Sequence, residues 1–171
     1  MSDGVHIRPA TTPADIEAVR VLCWAYRDFL LNHSGTDRDI TETFYPVDKY
    51  QRLMDGLEAE HARPQGIMLL AEVDGVAVGC GMTHAIDPQT IEVKRVFVSE
   101  AVRGQRIADR LCRALMDQAR SDGYTRVVLD TSRSLIAAQR LYERLGFEKC
   151  PPYQPIPEHA LPHLVFYEAR L

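Results

Sequence analysis

Arg103-Gly104-Gln105-Arg106 stands directly ahead of a helical pattern that begins Ile107-Ala108-Asp109-Arg110-Leu111. The first turn of a helix presents backbone N–H groups without an intrahelical partner and about half a unit of positive charge. A glycine there lets a bulky anion approach the main chain, and flanking arginines add charge and donors. The spacing therefore suits a phosphate and, with two arginines, a pyrophosphate. Taken alone it is a weak signal, because arginines in a first helical turn are usually solvated surface.

The elements around this turn decide what it means. Upstream, the strand pattern "IEVKRVFV" buries Ile91 and Val93, then Val96 and Val98, so its phase slips by one residue across Lys94-Arg95. One extra residue flips the facing of everything that follows, which is the trace of a β-bulge. Two earlier strand patterns, "IMLLAEV" and "VAVGCGMTHAI", flank Asp74-Gly75, a strong hairpin signal. The glycines of "GCG" suggest a bulge or a close backbone approach. Downstream, a helix over 104–121 turns Ile107, Ala108, Leu111, Leu115 and Ala119 inward and stops at Gly123. "RVVLD" then reads as a buried strand of the parallel kind. A helix over about 134–145 carries Ala138, Leu141, Tyr142 and Leu145 on one side and stops at Gly146, and "HLVFYEARL" supplies a last strand. A strand–helix–strand crossover makes strands 91–98 and 126–130 parallel.

At the other end, residues 5–8 alternate as a first strand. Thr12, Pro13 and Asp15 then supply an N-cap, N1 and N3 for a helix whose apolar face runs Ile16, Val19, Cys23, Tyr26, Phe29, Leu30. "NHSGTDRDITETFY" reads as a loop, with its Asp37, Asp39 and Glu42 either solvated or attracting a cation. Pro46 opens a helix over roughly 47–62.

Bulk properties narrow the classes. A chain of 171 residues is expected to form one domain over 1–171. With net charge −4 it lacks the basic excess of a nucleic-acid or membrane-surface binder. No apolar run approaches the ~18 residues of a membrane span, and "MSDGVHIRPA" has no hydrophobic leader core, so a cytoplasmic location is expected. Cys23, Cys80, Cys112 and Cys150 lie far apart without a CxxC or CxxH pairing, so neither a metal site nor a disulfide framework is expected. Pro157 and Pro162 prevent the helix that would align His159 with His163, so no metal site is expected.

"RVFVSEAVRGQRIADRL" together with "AAQRLYERLGF" resembles the GNAT superfamily of N-acetyltransferases. There a strand leads into an (R/Q)-x-x-G-x-(G/A) loop, and an A-x-x-L-Y-x-x-x-G-F helix follows some forty residues later. The first motif is Arg103-Gly104-Gln105-Arg106-Ile107-Ala108 here, and the second runs from Ala138 and Gln139 through Leu141-Tyr142 to Gly146-Phe147. The resemblance covers roughly residues 67–150. Two positions depart from it: Arg106 replaces the central glycine, and Leu135 replaces an asparagine that often touches the coenzyme arm.

The resemblance implies an α/β fold, with a mixed, largely antiparallel central sheet of six to seven strands and helices on both faces. A parallel pair splays apart in its middle. It implies acetyl-CoA as cosubstrate, with the pyrophosphate on Arg103, Gly104, Gln105, Arg106, Ile107 and Ala108. The pantetheine amides would meet the freed backbone of Val96, Phe97 and Val98. The implied activity is acetyl transfer to a primary amine of a small molecule or peptide, by direct attack in a ternary complex. A homodimer is plausible by family habit, and the last strand would serve it.

That reaction needs a neutral amine, donors for the developing oxyanion, and a proton for the leaving thiolate. By the resemblance Tyr142 is the general acid, and a phenol of pKa about 10 suits a departing thiolate. Its plain alternative is a core tyrosine. Glu92, out of phase with Ile91 and Val93, is the candidate base acting through water; its plain alternative is a surface carboxylate balancing Lys94 or Arg95. Tyr45, His84 and Tyr153 are candidates for the acceptor pocket without a fixed direction. Two other classes compete: a non-catalytic acyl-CoA-binding or sensing module, and a nucleotide-binding α/β protein. The latter is weakened by the lack of GxGxxG and GxxxxGK[ST].

Overall fold

The computed structural model describes residues 4–102 and 104–171. In chain order its elements are β1 (Val5–Pro9), α1 (Pro13–His33), α2 (Gly35–Phe44), α3 (Val47–Asp55) and α4 (Leu57–Glu60). Then come β2 (Gly66–Val73), β3 (Val76–Ala85), β4 (Thr90–Val98), α5 (Ile107–Ser121), β5 (Arg126–Ser132), α6 (Ile136–Arg144), β6 (Glu148–Lys149) and β7 (Leu164–Arg170). Among the described residues seven strands form one sheet in the order β1-β2-β3-β4-β5-β7-β6, antiparallel except for β4–β5. β7 therefore lies between β5 and the two-residue β6 rather than at an edge.

Both faces of the sheet are covered, which is why β2 is apolar and buried from Gly66 through Ala71 instead of alternating. Ile67, Leu69 and Ala71 join Ile91, Val127 and Leu129 beneath Leu111 and Leu115 of α5 and Leu141 of α6. Met68 and Leu70 face the other way, with Cys80 and Met82, against Val19 and Cys23 of α1, Met54 of α3 and Leu57 of α4. α1 starts as its sequence predicts: Thr12 Oγ1 accepts from the Asp15 N–H at 3.1 Å, and the Asp15 carboxylate accepts from the Thr12 N–H at 3.1 Å. No described helix is long and apolar enough to cross a membrane.

Four boundaries differ from the sequence reading. The 31–44 stretch is helical: α1 runs on to His33, and Ser34 caps α2 by accepting from the Asp37 N–H at 3.0 Å. Ser, Gly, Thr and Asp are as much the residues of a helix start as of a loop. The 47–62 helix breaks at Gly56 into α3 and α4. α5 begins at Ile107 rather than 104, because Arg106 sits in the left-handed region at φ 56°. α6 begins at Ile136.

The phase slip is a bulge. Cys80 pairs with Phe97 but Met82 pairs with Lys94, so β4 spends one residue more than β3 over the same span. Arg95 takes the strained left-handed conformation, φ 52°. Gly81 lies opposite, where an added Cβ would come within 3.0 Å of Leu115 Cδ1 and 3.3 Å of Val96 Cγ2, so the close approach read from "GCG" is real. Pairing of β4 with β5 covers Thr90–Arg126, Ile91–Val127 and Glu92–Val128, and none is formed beyond that point. The central parallel pair is splayed.

Candidate active site

The gap between β4 and β5 opens into a cleft of about 700 Å³. Val96, Phe97 and Val98 form one wall, Leu135, Ala138 and Tyr142 the other, and Gly104, Arg106 and Ala108 lie at its mouth. The backbone explains what the first wall presents. The Ser99 N–H donates to the Val78 carbonyl at 2.8 Å, so antiparallel alternation turns the Phe97 N–H toward β3 and the Val98 N–H toward the gap. Phe97 lines the cleft with its ring, which stands 5.7 Å from that of Tyr26. Val98 therefore presents its amide there, and Phe97 apolar surface.

At the mouth, no side chain among the described residues caps α5. The amides of its first turn are left for a ligand or water. Gly104 has φ 93° and nothing within 4 Å of where a Cβ would stand. The Arg106 guanidinium makes no hydrogen bond or ion pair among the described residues. Gln105 is exposed, and Ile107 packs its side chain into the core, leaving only its N–H for a ligand. Arg103, the remaining member of the predicted loop, lies outside the described residues. Arg106 bears the strain of a side chain where the conformation favours glycine. Arg106→Gly is expected to stabilise the fold by up to about 1 kcal/mol, since a left-handed L-residue costs about 1–2 and glycine's own entropy returns part of it. Thermal unfolding should rise by roughly 2–4 °C; an unchanged or lower midpoint would show the strain to be absorbed.

A smaller cavity of about 150 Å³ adjoins the cleft. Tyr26, Val96, Thr131, Leu135 and Tyr142 line both spaces, so the two meet along these residues, Tyr142 among them. Tyr142 packs edge-on to Phe147 at 5.8 Å and beside Tyr167 at 6.0 Å. Its hydroxyl bonds to no described residue, yet no buried polar side-chain atom among them lacks a partner. The hydroxyl is therefore open to the cavity. Burial, followed by the neighbouring Cys112, Tyr26 and Asp130, pushes its pKa well above that of a free phenol.

Glu92 is not a surface carboxylate: it is 2% exposed and lines the small cavity. His84 Nε2 donates to its Oε1 at 2.6 Å, Lys94 Nζ stands 3.5 Å from the same oxygen, and the Tyr153 hydroxyl donates to Oε2. Burial raises its pKa, but His84, Lys94 and Tyr153 together outweigh that, and it ends below the ordinary carboxylate value. Asp130 behaves oppositely. Its Oδ2 lies 3.3 Å from the Tyr153 hydroxyl and 3.3 Å from Gln154 Nε2, and burial, then the charge of Glu92, raises its pKa. One phenol proton cannot serve two carboxylates, and Glu92 holds it.

Of the acceptor-side candidates, Tyr45 lines the cavity, while His84 and Tyr153 reach it through Glu92. Asp37 is buried in an internal network, whereas Asp39 and Glu42 are exposed. Sequence reasoning missed Asp130 and Lys94. The first carried a signal, an acid at the carboxyl end of a buried parallel strand, where α/β sheets bind ligands.

Residues 33–147 match the model of the acetyltransferase (GNAT) family. An uncharacterised N-acetyltransferase from Schizosaccharomyces pombe is 32% identical over 158 residues, covering 90% of each chain. Among solved structures, an acetyltransferase from Streptococcus agalactiae matches with a TM-score of 0.76 at 20% identity over 99% of each chain. A GNAT family acetyltransferase from Elizabethkingia anophelis with acetyl-CoA bound matches at 0.60 with 20% identity, over 99% of this chain and 100% of that one.

Proposed function

Because the chain belongs to the acetyltransferase (GNAT) family and is thus an acyltransferase, we propose that it moves an acetyl group from acetyl-CoA to a primary amine of a small molecule or peptide, by direct attack in a ternary complex. We extend the proposal to one catalytic domain over residues 1–171 acting in the cytoplasm, with a homodimer as a compatible assembly. The observation that carries the reading is the junction of the two cavities at Tyr142, beside strands that part after Glu92 and Val128.

The residues present fit acetyl-CoA. Gly104, Gln105, Arg106 and the amides of Ile107 and Ala108, with Arg103, would hold the pyrophosphate, since a helix start with free N–H groups suits an anion. The Val98 N–H, with the backbone of Val96, would meet the pantetheine amides, and Phe97 and Leu135 its apolar flank. When bound, the coenzyme supplies a thioester carbonyl for the amine to attack. Tyr142 Oη holds a proton where sulfur departs. The base expected at Glu92 is better supplied by Asp130: Glu92 is committed to two hydrogen bonds and the Lys94 ion pair, and the higher pKa makes Asp130 the stronger proton acceptor. Glu92 then serves as the anion that adds to burial in raising Asp130.

The test is calorimetric titration with acetyl-CoA, followed by thiol release over a panel of amino acids, polyamines, aminoglycosides and short peptides. Gly104→Val should weaken acetyl-CoA about tenfold, because a β-branched side chain at positive φ strains the turn and stands over the anion's path. Unchanged affinity would remove this loop from the site. Binding without turnover on any amine would favour a sensing module.

A further inference from the structure

The small cavity holds unlike charges that proton transfer alone does not explain. At the bulge, the left-handed Arg95 lets two consecutive side chains, Lys94 and Arg95, reach the same side of the sheet as Glu92. Lys94 Nζ stands 3.5 Å from Glu92, and Arg95 Nη1 lies 3.5 Å from His61 Nε2 and 3.7 Å from Met82 Sδ. Glu92 is shared by His84, Lys94 and Tyr153, so it leaves Lys94 incompletely neutralised. Arg95 has no carboxylate within 4 Å among the described residues. Asp130 likewise has no cation within that distance; Tyr153 and Gln154 stand at 3.3 Å, and the charge of Lys94 reaches it from farther off. The cavity wall thus carries a cationic pair and one under-partnered carboxylate, both half-withdrawn from water. Burying such groups is costly unless a partner arrives.

We infer that the acetyl acceptor is a small amino carboxylate, a free amino acid, whose ammonium meets Asp130 and whose carboxylate meets Lys94 and Arg95. The inference rests on the acetyl-transfer reading above and names the substrate class of that site. Volume agrees: about 150 Å³ open to a water-sized probe leaves room for a small zwitterion. Charge agrees as well, since a polyamine would place its second cation against Lys94 and Arg95. The reaction balances. The N–C bond forms as the C–S bond breaks, and the ammonium sheds two protons. One leaves through Asp130 to solvent; the other replaces the proton that Tyr142 gives to sulfur. The products are an N-acetylamino acid, free coenzyme thiol and one proton.

The experiment measures thiol release at saturating acetyl-CoA for the twenty amino acids, their primary amides and the matching decarboxylated amines, with acetyl-CoA binding followed in parallel by calorimetry. At least one amino acid should exceed its own amide in kcat/KM by about 30-fold or more, the loss expected when a buried charge is left unpaired. In Lys94→Met that acid-to-amide ratio should fall toward one. Amides or amines used as well as the acids, a preference for polyamines or peptides, or no turnover of any amino acid would overturn the inference while acetyl-CoA binding leaves the transfer reading standing. Absence of acetyl-CoA binding would remove the transfer reading, and the acceptor inference with it.

Discussion

Tyr142→Phe lowers kcat by about a hundred- to a thousand-fold while acetyl-CoA affinity and thermal stability stay where they were. The substitution removes one oxygen and leaves the ring between Phe147 and Tyr167. That oxygen bonds to no described residue, so its loss strands no buried partner, the usual source of cost in such a change. What disappears is the proton at the meeting point of the two cavities. Burial has raised the phenol above its ordinary range, so it remains protonated throughout neutral pH and its own titration does not limit the rate there. The acid limb should instead follow Asp130: activity requires its ionised form and should rise with pH through a value above that of a free aspartate. Steady-state kinetics and calorimetry on the same preparation separate these effects. A variant with unchanged kcat would take the acid's role away from Tyr142, and weakened acetyl-CoA binding would make the residue a packing element.

Much of the cleft was legible because it rests on local rules. The slip between Ile91-Val93 and Val96-Val98 announced the bulge, and the bulge together with the β4–β5 divergence makes the gap. The Arg-Gly turn before α5 was readable for the same reason. The acceptor side was not, since it is assembled from distant pieces. Glu92 looked equally suited to the surface, and its burial depends on Tyr153, 61 residues away. Which side Lys94 and Arg95 take depends on the backbone angle at one bulge residue, and alternation cannot supply that. α2 hid behind loop chemistry because Ser34-Gly35-Thr36-Asp37 serves either purpose. The choice is made by Ser132 and Ser134, 95 and 97 residues further on, whose hydroxyls donate to the Asp37 carboxylate.

That carboxylate bears the second large effect. Asp37 is 2% exposed and receives four side-chain donors: Ser132, Ser134 at 2.5 Å, Ser34 at 2.9 Å and His33 Nδ1 at 2.8 Å. It fastens the start of α2 to the turn between β5 and α6, and Ile40 and Thr41 of α2 wall the acceptor cavity. Asp37→Ala should cost about 3 kcal/mol at neutral pH, because buried donors lose a charged acceptor, and should lower the unfolding midpoint by roughly 6–12 °C. Burial raises the Asp37 pKa, yet Ser132, Ser134, His33 and Ser34 outweigh it, and the folded value lies below the unfolded one. Such a group contributes stability that is present above the unfolded pKa, about 3.9, and is lost as pH falls through the folded value. The gap between wild type and Asp37→Ala in urea unfolding should therefore be widest near neutrality and narrow as pH drops below about 4. In the same variant KM for the amine should rise while acetyl-CoA affinity holds, since α2 touches the acceptor cavity and not the mouth of the cleft. A stability gap that ignores pH would mean that packing, and not the ionised carboxylate, holds α2 in place.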